Sequence, residues 1–350
     1  MVCIAAFIIL AILGVFVAVI SIFKPKIGKS YLKAMKKAWG CLWKKVRLQK
    51  CETGFKDDVK NTLLSRVMLK HPKWVKPLSV VIEVASVVIV VVAVRAMLTA
   101  IKSLLALWAI GSCNVTKPSA CSLGAEVCSI DETEPSNPLE ATGRWFTEWG
   151  EIFGAIPDKF HTYSADEFDF NYIDMDNAES SNLPVAIDIL DPGCSACMTS
   201  YRNQKSSGFF DKYDVKLVPF AIQGPEGEYK FANSEIVVKY MFAAEQIRSG
   251  ASLIIIDKIY TGRNSNDEMY QYLFNNEYTR EKAISKIESW LKEDGMSEKE
   301  IREIRKTVDY PEITDKMNQN KDIIENQLHA KGIPTLIYDG KRHTGIWKNE

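Results

Sequence analysis

The stretch IDILDPGCSACM, residues 187–198, places a short apolar run directly before a C-x-x-C motif. The run from Val185 to Leu190 has the length of a buried strand, and residues 191–193, Asp-Pro-Gly, break it. Residues 198–204 after the motif have the composition of a helix. The order therefore predicts a strand, a tight turn and a C-x-x-C motif that opens a helix.

A C-x-x-C motif at the start of a helix suits dithiol redox chemistry. Cysteines three residues apart lie within one helical turn, so their sulfurs can close into a small disulfide ring and reopen. Cys194 would lie where unpaired backbone N–H groups and the helix macrodipole favour a thiolate. We therefore expect its pKa to lie well below the value of about 8.5 for free cysteine.

Two further features resemble the thioredoxin superfamily. Asp188 lies on the incoming strand six residues before Cys194, and the stretch GIPTLIY, residues 332–338, follows far downstream. In that family a buried acid, a C-x-x-C motif and a cis-proline loop meet at one site. The mostly helical insert at about 232–330 looks more like that of the DsbA-type thiol oxidoreductases. The resemblance covers about residues 180–348 and implies an α/β, thioredoxin-like fold with a helical insertion.

The resemblance also implies roles for the residues around the motif. Cys194 would be the attacking thiolate, and the more buried Cys197 would resolve the mixed disulfide. Asp188 would be a desolvated carboxylate with a raised pKa that takes the proton from Cys197; the alternative is an acid that only caps a turn or helix. Asp191 is a competing acid, more typical of a cap. The resemblance implies no cofactor beyond a redox-active Cys194–Cys197 disulfide.

The downstream loop supplies the expected substrate contacts. The resemblance implies that the peptide bond before Pro334 is cis, which would place the backbone of Ile333 beside Cys194. Ile333 and Thr335 would then pair with an extended substrate strand. An ordinary trans proline at the edge of the sheet is the alternative.

Other uses of the C-x-x-C motif are less consistent with the sequence. A zinc site needs a second pair of ligands, and His161, His329 and His343 have no paired spacing. We therefore predict no metal. A plain structural disulfide is disfavoured by the helix-start position and by the matching proline loop.

Two apolar segments precede this domain. Residues 2–23 form an uncharged run long enough to cross the hydrocarbon core of about 30 Å, so 1–23 is predicted as a transmembrane helix, with a cleaved signal peptide as the alternative. Residues 78–110 form a second predicted span, interrupted by Glu83, Arg95 and Lys102. The charges mark either an intramembrane function or a shorter span whose end protrudes as an amphipathic helix.

The charge distribution predicts the orientation of these spans. Residues 24–77 contain 16 lysines and arginines against three acidic residues, whereas the chain from residue 111 onward is acidic. Basic loops beside membrane spans lie on the cytoplasmic side. We expect a two-pass protein of the cell membrane, in contact with the lipid bilayer, with the C-terminal domain outside the cytoplasm. The flanking spans make charge-directed topology a better account of the basic loop than nucleic-acid binding.

Three cysteines lie in the predicted extracytoplasmic linker, residues 111–138: Cys113, Cys121 and Cys128. Two of them could form a structural disulfide and leave one odd thiol. Their spacing does not identify the pair, and one of them could instead pass electrons to the Cys194–Cys197 pair. A helix and edge segment at 139–180 and the thioredoxin-like domain at 181–350 complete the predicted organisation.

These features predict a membrane-anchored thiol:disulfide oxidoreductase that acts on cysteines of exported proteins. The predicted extracytoplasmic location and the helical insert favour disulfide formation as the direction of the reaction. Reduction or isomerisation of disulfides is the second interpretation. A membrane or thiol redox partner would regenerate the active pair. A thioredoxin-like binding or scaffold protein without turnover is the alternative from another functional class.

Overall fold

The computed structural model describes residues 32–33, 36, 39–40, 43–44, 47, 74–115, 117, 127–130, 135–175, 183–224 and 227–348. Its contacts divide the chain into two units, Met1–Ile101 and Lys102–Glu350. The first predicted span, 1–23, lies outside the described residues, as does most of the basic segment 24–77.

The second predicted span is a helix, α1 (Val75–Ile110), which begins three residues earlier than expected. Within the part of the chain that the structure describes, Lys76–Ile110 is the one helix long and apolar enough to cross a membrane. Near its end, Lys102 forms a salt bridge with Glu148 of the next helix, α2 (Pro138–Gly154). Lys102 is therefore partnered within the C-terminal unit.

The C-terminal unit is built on a five-stranded sheet with the order β2-β4-β3-β6-β7. The central strand β3 runs parallel to β4 and antiparallel to β6, while β2 and β7 are antiparallel edge strands. The C-x-x-C motif follows the central strand β3, as the sequence predicted. The strands are β1 (Cys128–Ser129), β2 (Ile173–Asp174), β3 (Val185–Leu190), β4 (Asp214–Pro219), β5 (Gly332–Ile333), β6 (Thr335–Tyr338) and β7 (Lys341–Thr344).

The motif helix, a short helix after it and the helices of the insert complete the unit. They are α3 (Ser195–Ser207), α4 (Phe209–Lys212), α5 (Ser234–Ile247), α6 (Ala251–Thr261), α7 (Tyr270–Asn276), α8 (Arg280–Glu293), α9 (Glu298–Thr307) and α10 (Pro311–Asp322). A capping box between Ser297 and Glu300 begins α9. Sheet and insert share one hydrophobic core, which includes Met241, Tyr260 and Trp290 of the insert.

Three elements that matter for the site were not predicted individually. Helices α6 and α7 lie within the predicted helical insert at about 232–330, and Ile255 and Ile256 of α6 are buried in its core. The linker also contains a strand, because β1 pairs antiparallel with β5 in a separate two-stranded sheet.

Helix α2 begins one residue before the helix and edge segment predicted at 139–180 and ends at Gly154. Its N-cap residue, Asn137, accepts a hydrogen bond from the Glu140 amide, and Pro138 suits the first turn. Its aromatic side chains contact one another along the helix, Phe146 against Trp145 and Phe153 stacked on Trp149, while Phe146 and Phe153 remain 64% and 55% exposed.

Candidate active site

The turn before the C-x-x-C motif is held by the buried side chain of Asp191. Its carboxylate accepts hydrogen bonds from the amides of Gly193 and Ile222, each at 2.7 Å, and from the Ser234 hydroxyl. Burial raises the pKa of Asp191 to about 6 against the effect of these bonds. Gly193 leaves room for the neighbouring ring, because a Cβ there would lie 2.4 Å from Cβ of Phe231. Asp191 thus has the capping role expected from the sequence.

The helical insert also contacts this turn. Gln271 and Asn275 on α7 both donate side-chain hydrogen bonds to the Gly193 carbonyl, with a distance of 2.7 Å from Asn275. The Tyr260 hydroxyl on α6 donates to the Asp191 carbonyl at 2.7 Å. The sequence analysis did not identify Tyr260, Gln271 or Asn275 as residues of the site. The one feature that could have indicated them is the presence of side-chain amides among the apolar residues of α7. The insert therefore holds the C-x-x-C turn in place.

Cys194 is the N-cap residue of α3. Its sulfur accepts a hydrogen bond from the Cys197 amide at 3.4 Å and lies 3.8 Å from the Ile333 carbonyl oxygen. The 13 residues of α3 follow it, so the positive end of the helix and an N–H donor both face the sulfur. Both interactions stabilise a thiolate.

Cys197 is a buried free thiol. Burial raises its pKa well above the ordinary value, and the charges of Asp191 and Asp188 raise it further. A proton acceptor is therefore needed before Cys197 can act as a nucleophile near neutral pH.

Asp188 is a candidate for that acceptor. Its Oδ2 accepts a hydrogen bond from Gln204 at 3.0 Å, while Oδ1 has no hydrogen-bond partner among the described residues. Burial is the main cause that raises the pKa of Asp188 to about 7, and the bond from Gln204 lowers it. A carboxyl group that titrates there can take or give a proton near neutral pH.

The loop opposite the motif has the conformation expected from the sequence. The Ile333–Pro334 peptide bond is cis. Thr335 is buried, and its hydroxyl donates to the Gly332 carbonyl at 2.7 Å, so its side chain holds the turn. The structure thus brings Cys194 and the backbone of Ile333 together.

The disulfide at this site differs from the expected Cys194–Cys197 pair. Cys194 is bonded instead to Cys128, with 6.0 Å between the Cα atoms, and Cys197 is free. The reason is the pairing of β1 with β5, which places Cys128 opposite Ile333 and hence beside Cys194. The two cysteines are 66 residues apart; the sequence left open that one of the three linker cysteines exchanges with the C-x-x-C pair, but it did not identify Cys128.

The other linker cysteines are only partly described. Cys113 also takes part in a disulfide bond. Cys121 lies outside the described residues. Two of the three linker cysteines were expected to pair with each other and one to be left over, and Cys128 is outside any linker pair because its partner is Cys194.

Comparison with known proteins gave matches to solved structures alone. No family model and no curated protein matches the sequence. The thiol-disulfide exchange protein α-DsbA2 from Wolbachia pipientis is 18% identical, covers 59% of this chain and 92% of its own, and gives a TM-score of 0.35. MdbA, a thiol-disulfide oxidoreductase from Corynebacterium diphtheriae, is 13% identical over 51% of this chain and 90% of its own, with a TM-score of 0.36. These structural neighbours are DsbA-like thiol-disulfide oxidoreductases of the thioredoxin superfamily.

Proposed function

We propose that this protein is a membrane-anchored thiol:disulfide oxidoreductase that forms disulfides in exported proteins. One observation carries the proposal: the sulfur of Cys194 lies at the N-terminus of α3 and faces the cis-proline loop at 3.8 Å from the Ile333 carbonyl. A nucleophilic sulfur beside a backbone edge that can pair with an extended strand is the arrangement that protein disulfide exchange requires.

The reaction begins from a Cys194–Cys197 disulfide. A substrate thiolate attacks the Cys194 sulfur, the bond to Cys197 breaks, and the leaving Cys197 thiolate takes a proton from Asp188. A second substrate thiolate then attacks the substrate sulfur of the mixed disulfide and releases the Cys194 thiolate. The substrate gains one disulfide, and two electrons remain on the cysteine pair, which a membrane or thiol redox partner must reoxidise.

The local electrostatics support oxidation over reduction. The amide of Cys197 and the start of α3 stabilise the Cys194 thiolate, which exists in the reduced form of the pair. Stabilising the reduced form makes a disulfide a stronger oxidant. Reduction or isomerisation is the second candidate, because Ser195 and Ala196 between the cysteines are typical of neither direction.

The reduction potential of the pair tests this direction. We expect the Cys194–Cys197 couple to lie between about −200 and −120 mV, within the range of protein oxidants. The full-length chain in detergent, with Cys128→Ser to isolate the couple, would be equilibrated with glutathione, quenched in acid and alkylated. A potential near or below about −270 mV, the value for thioredoxin, would favour the reductase.

Membrane anchoring rests on separate observations. Helix α1 contains a candidate span at Lys76–Ile110, and residues 102–350 contain the Cys128–Cys194 disulfide. Disulfides persist in oxidising compartments outside the cytoplasm. The basic loop before α1 supports the same orientation.

Protease treatment of intact cells tests the orientation. We expect the added protease to cut the C-terminal domain, 111–350, and to spare residues 24–77, because the basic loop lies on the cytoplasmic side of the membrane. Permeabilised cells, in which both regions are cut, provide the control. Cleavage of the basic loop alone would invert the topology.

A further inference from the structure

We propose that Cys128 is a third redox cysteine of this site, and that residues 127–130 form a tethered strand that occupies the active site. In this resting form Cys194 is held in a disulfide with Cys128 of the same chain. Attack by the Cys197 sulfur on Cys194 breaks that disulfide. The inference rests on the proposed exchange function and adds a means of controlling it.

The tethered strand lies along the proline loop as a bound peptide would. Cys128 is paired with Ile333 and Ser129 with Gly332, antiparallel. The Ile130 amide continues the ladder with a hydrogen bond of 3.1 Å to the Lys331 carbonyl. An extended strand added to this edge supplies backbone hydrogen bonds, and its cysteine is delivered to Cys194.

Packing holds the tethered strand independently of the sulfur bond. Ser129 and Ile130 are buried, and Ile130 belongs to the hydrophobic core of the domain. Lys230 donates a hydrogen bond to the Ser129 carbonyl at 3.0 Å. Gly332 permits the close approach, because a Cβ there would lie 3.3 Å from the Cys128 carbonyl oxygen. The strand is therefore a docked element of the fold.

An internal exchange can release this strand without any external oxidant. The Cys197 thiol gives its proton to the Asp188 carboxylate, and its sulfur attacks the Cys194 sulfur. The Cys128–Cys194 bond breaks as the Cys194–Cys197 bond forms, and Cys128 leaves as a thiolate that takes a proton from water. One disulfide and one thiol are present before and after, so atoms and electrons balance.

Tethering gives Cys128 an advantage over substrates. Because Cys128 belongs to the same chain and is docked beside Cys194, it competes intramolecularly at an effective concentration of roughly millimolar or more, well above a micromolar substrate. We therefore expect the native chain to exchange with external disulfides at least tenfold less readily than a chain without the Cys128 sulfur.

Disulfide mapping of a Cys197→Ser full-length chain in detergent is the first test. After acid quenching and alkylation, cleavage at Glu126 and Glu132 isolates peptide 127–132 and separates Cys128 from Cys121. We expect this peptide to be cross-linked to the peptide that contains Cys194. Recovery of an alkylated Cys128 in most molecules would overturn the inference.

Trapping of an external peptide is the second test. The Cys197→Ser chain and the Cys128→Ser/Cys197→Ser chain would be reduced, freed of reductant and incubated in air with a model peptide disulfide. We expect at least tenfold more peptide bound to Cys194 in the double variant, and Cys128→Ala should reproduce the effect of Cys128→Ser. Equal trapping by the single and double variants would refute competition by the tethered strand.

The two tests separate this inference from the proposed function. If the double variant is folded, by circular dichroism and thermal unfolding, and still traps no peptide, the exchange function fails. The disulfide map of the single variant still decides whether Cys128 occupies the site.

Discussion

Replacement of Cys194 with serine is expected to abolish thiol–disulfide exchange by this protein. A hydroxyl oxygen cannot form the mixed disulfide, and no other described cysteine lies at the N-terminus of α3 beside the Ile333 carbonyl. Since enzymes commonly accelerate reactions by about 10⁶-fold or more, we expect the rate to fall by roughly 10³-fold or more. The measurement is the loss of thiols from a reduced, unfolded protein substrate in the presence of the full-length chain.

The matched control removes a cysteine elsewhere. Cys51→Ser deletes a thiol in the predicted basic segment and should leave the rate within a factor of two. Because serine at 194 also removes the Cys128–Cys194 bond, the folded state of the variant must be checked by circular dichroism. A folded Cys194→Ser chain that retains a tenth of the native rate would eliminate the assignment of Cys194 as the attacking sulfur.

Replacement of Asp188 with asparagine is expected to change the pH dependence of both rate and stability. In the proposed mechanism the Asp188 carboxylate accepts the proton of Cys197, and burial raises the pKa of Asp188 to about 7. The attack of Cys197 on a mixed disulfide at Cys194 should therefore accelerate as the pH rises through 7. Without the carboxylate we expect this step at pH 7 to slow by roughly 10²-fold, the low end for general acid–base catalysis.

A stopped-flow measurement can isolate that step. Glutathione attached to Cys194 in the Cys128→Ser background is released when Cys197 attacks, and its release can be followed from pH 5 to 9. Asp315→Asn changes an exposed carboxylate on α10 and should leave the profile unchanged. Identical profiles for Asp188→Asn and the native chain would mean that Asp188 does not carry the proton.

The same buried carboxyl group affects folding stability. Its pKa is near 3.8 when unfolded and about 7 when folded, so the folded state binds the extra proton between these values. The stabilisation is fully present below about pH 4 and is lost as the pH rises through 7. At about 1.4 kcal/mol per pKa unit, the loss is on the order of 4 kcal/mol by pH 8. Asparagine does not titrate and should remove this decline.

Urea unfolding of the full-length chain in detergent at pH 4 and pH 8 measures the difference. The gap in unfolding free energy between Asp188→Asn and the native chain should move in favour of the variant as the pH rises. A gap that stays constant would show that Asp188 titrates at the same pH in both states.

Local sequence information was sufficient to predict the strand, the turn and the start of the helix that carry the C-x-x-C motif. The apolar run 185–190, the break at 191–193 and the C-x-x-C spacing predicted β3 and the start of α3, because strand length and helix initiation depend on near neighbours. The pattern at 332–338 likewise indicated the proline loop. Burial of Asp188 followed from its position within the apolar run.

The contacts made by the insert required the tertiary structure. Gln271 and Asn275 bind the Gly193 carbonyl across about 80 residues of chain, and neither lies in a recognisable motif. The partner of Gln204 was equally hidden, because a polar residue on a helix carries no sign of the buried carboxylate that it will meet. Such contacts depend on how helices pack, which periodicity alone does not specify.

The sequence by itself determined which cysteine is the candidate nucleophile, because the start of a helix depends on a short stretch with strong local preferences. The loop that faces it was identified through the resemblance to the thioredoxin superfamily. Only the tertiary structure decided that Cys128 is the sulfur bonded to Cys194. Bonding of two cysteines depends on the separation of their Cα atoms in space. That separation is set here by the pairing of β1 with β5, which joins residues more than 200 positions apart.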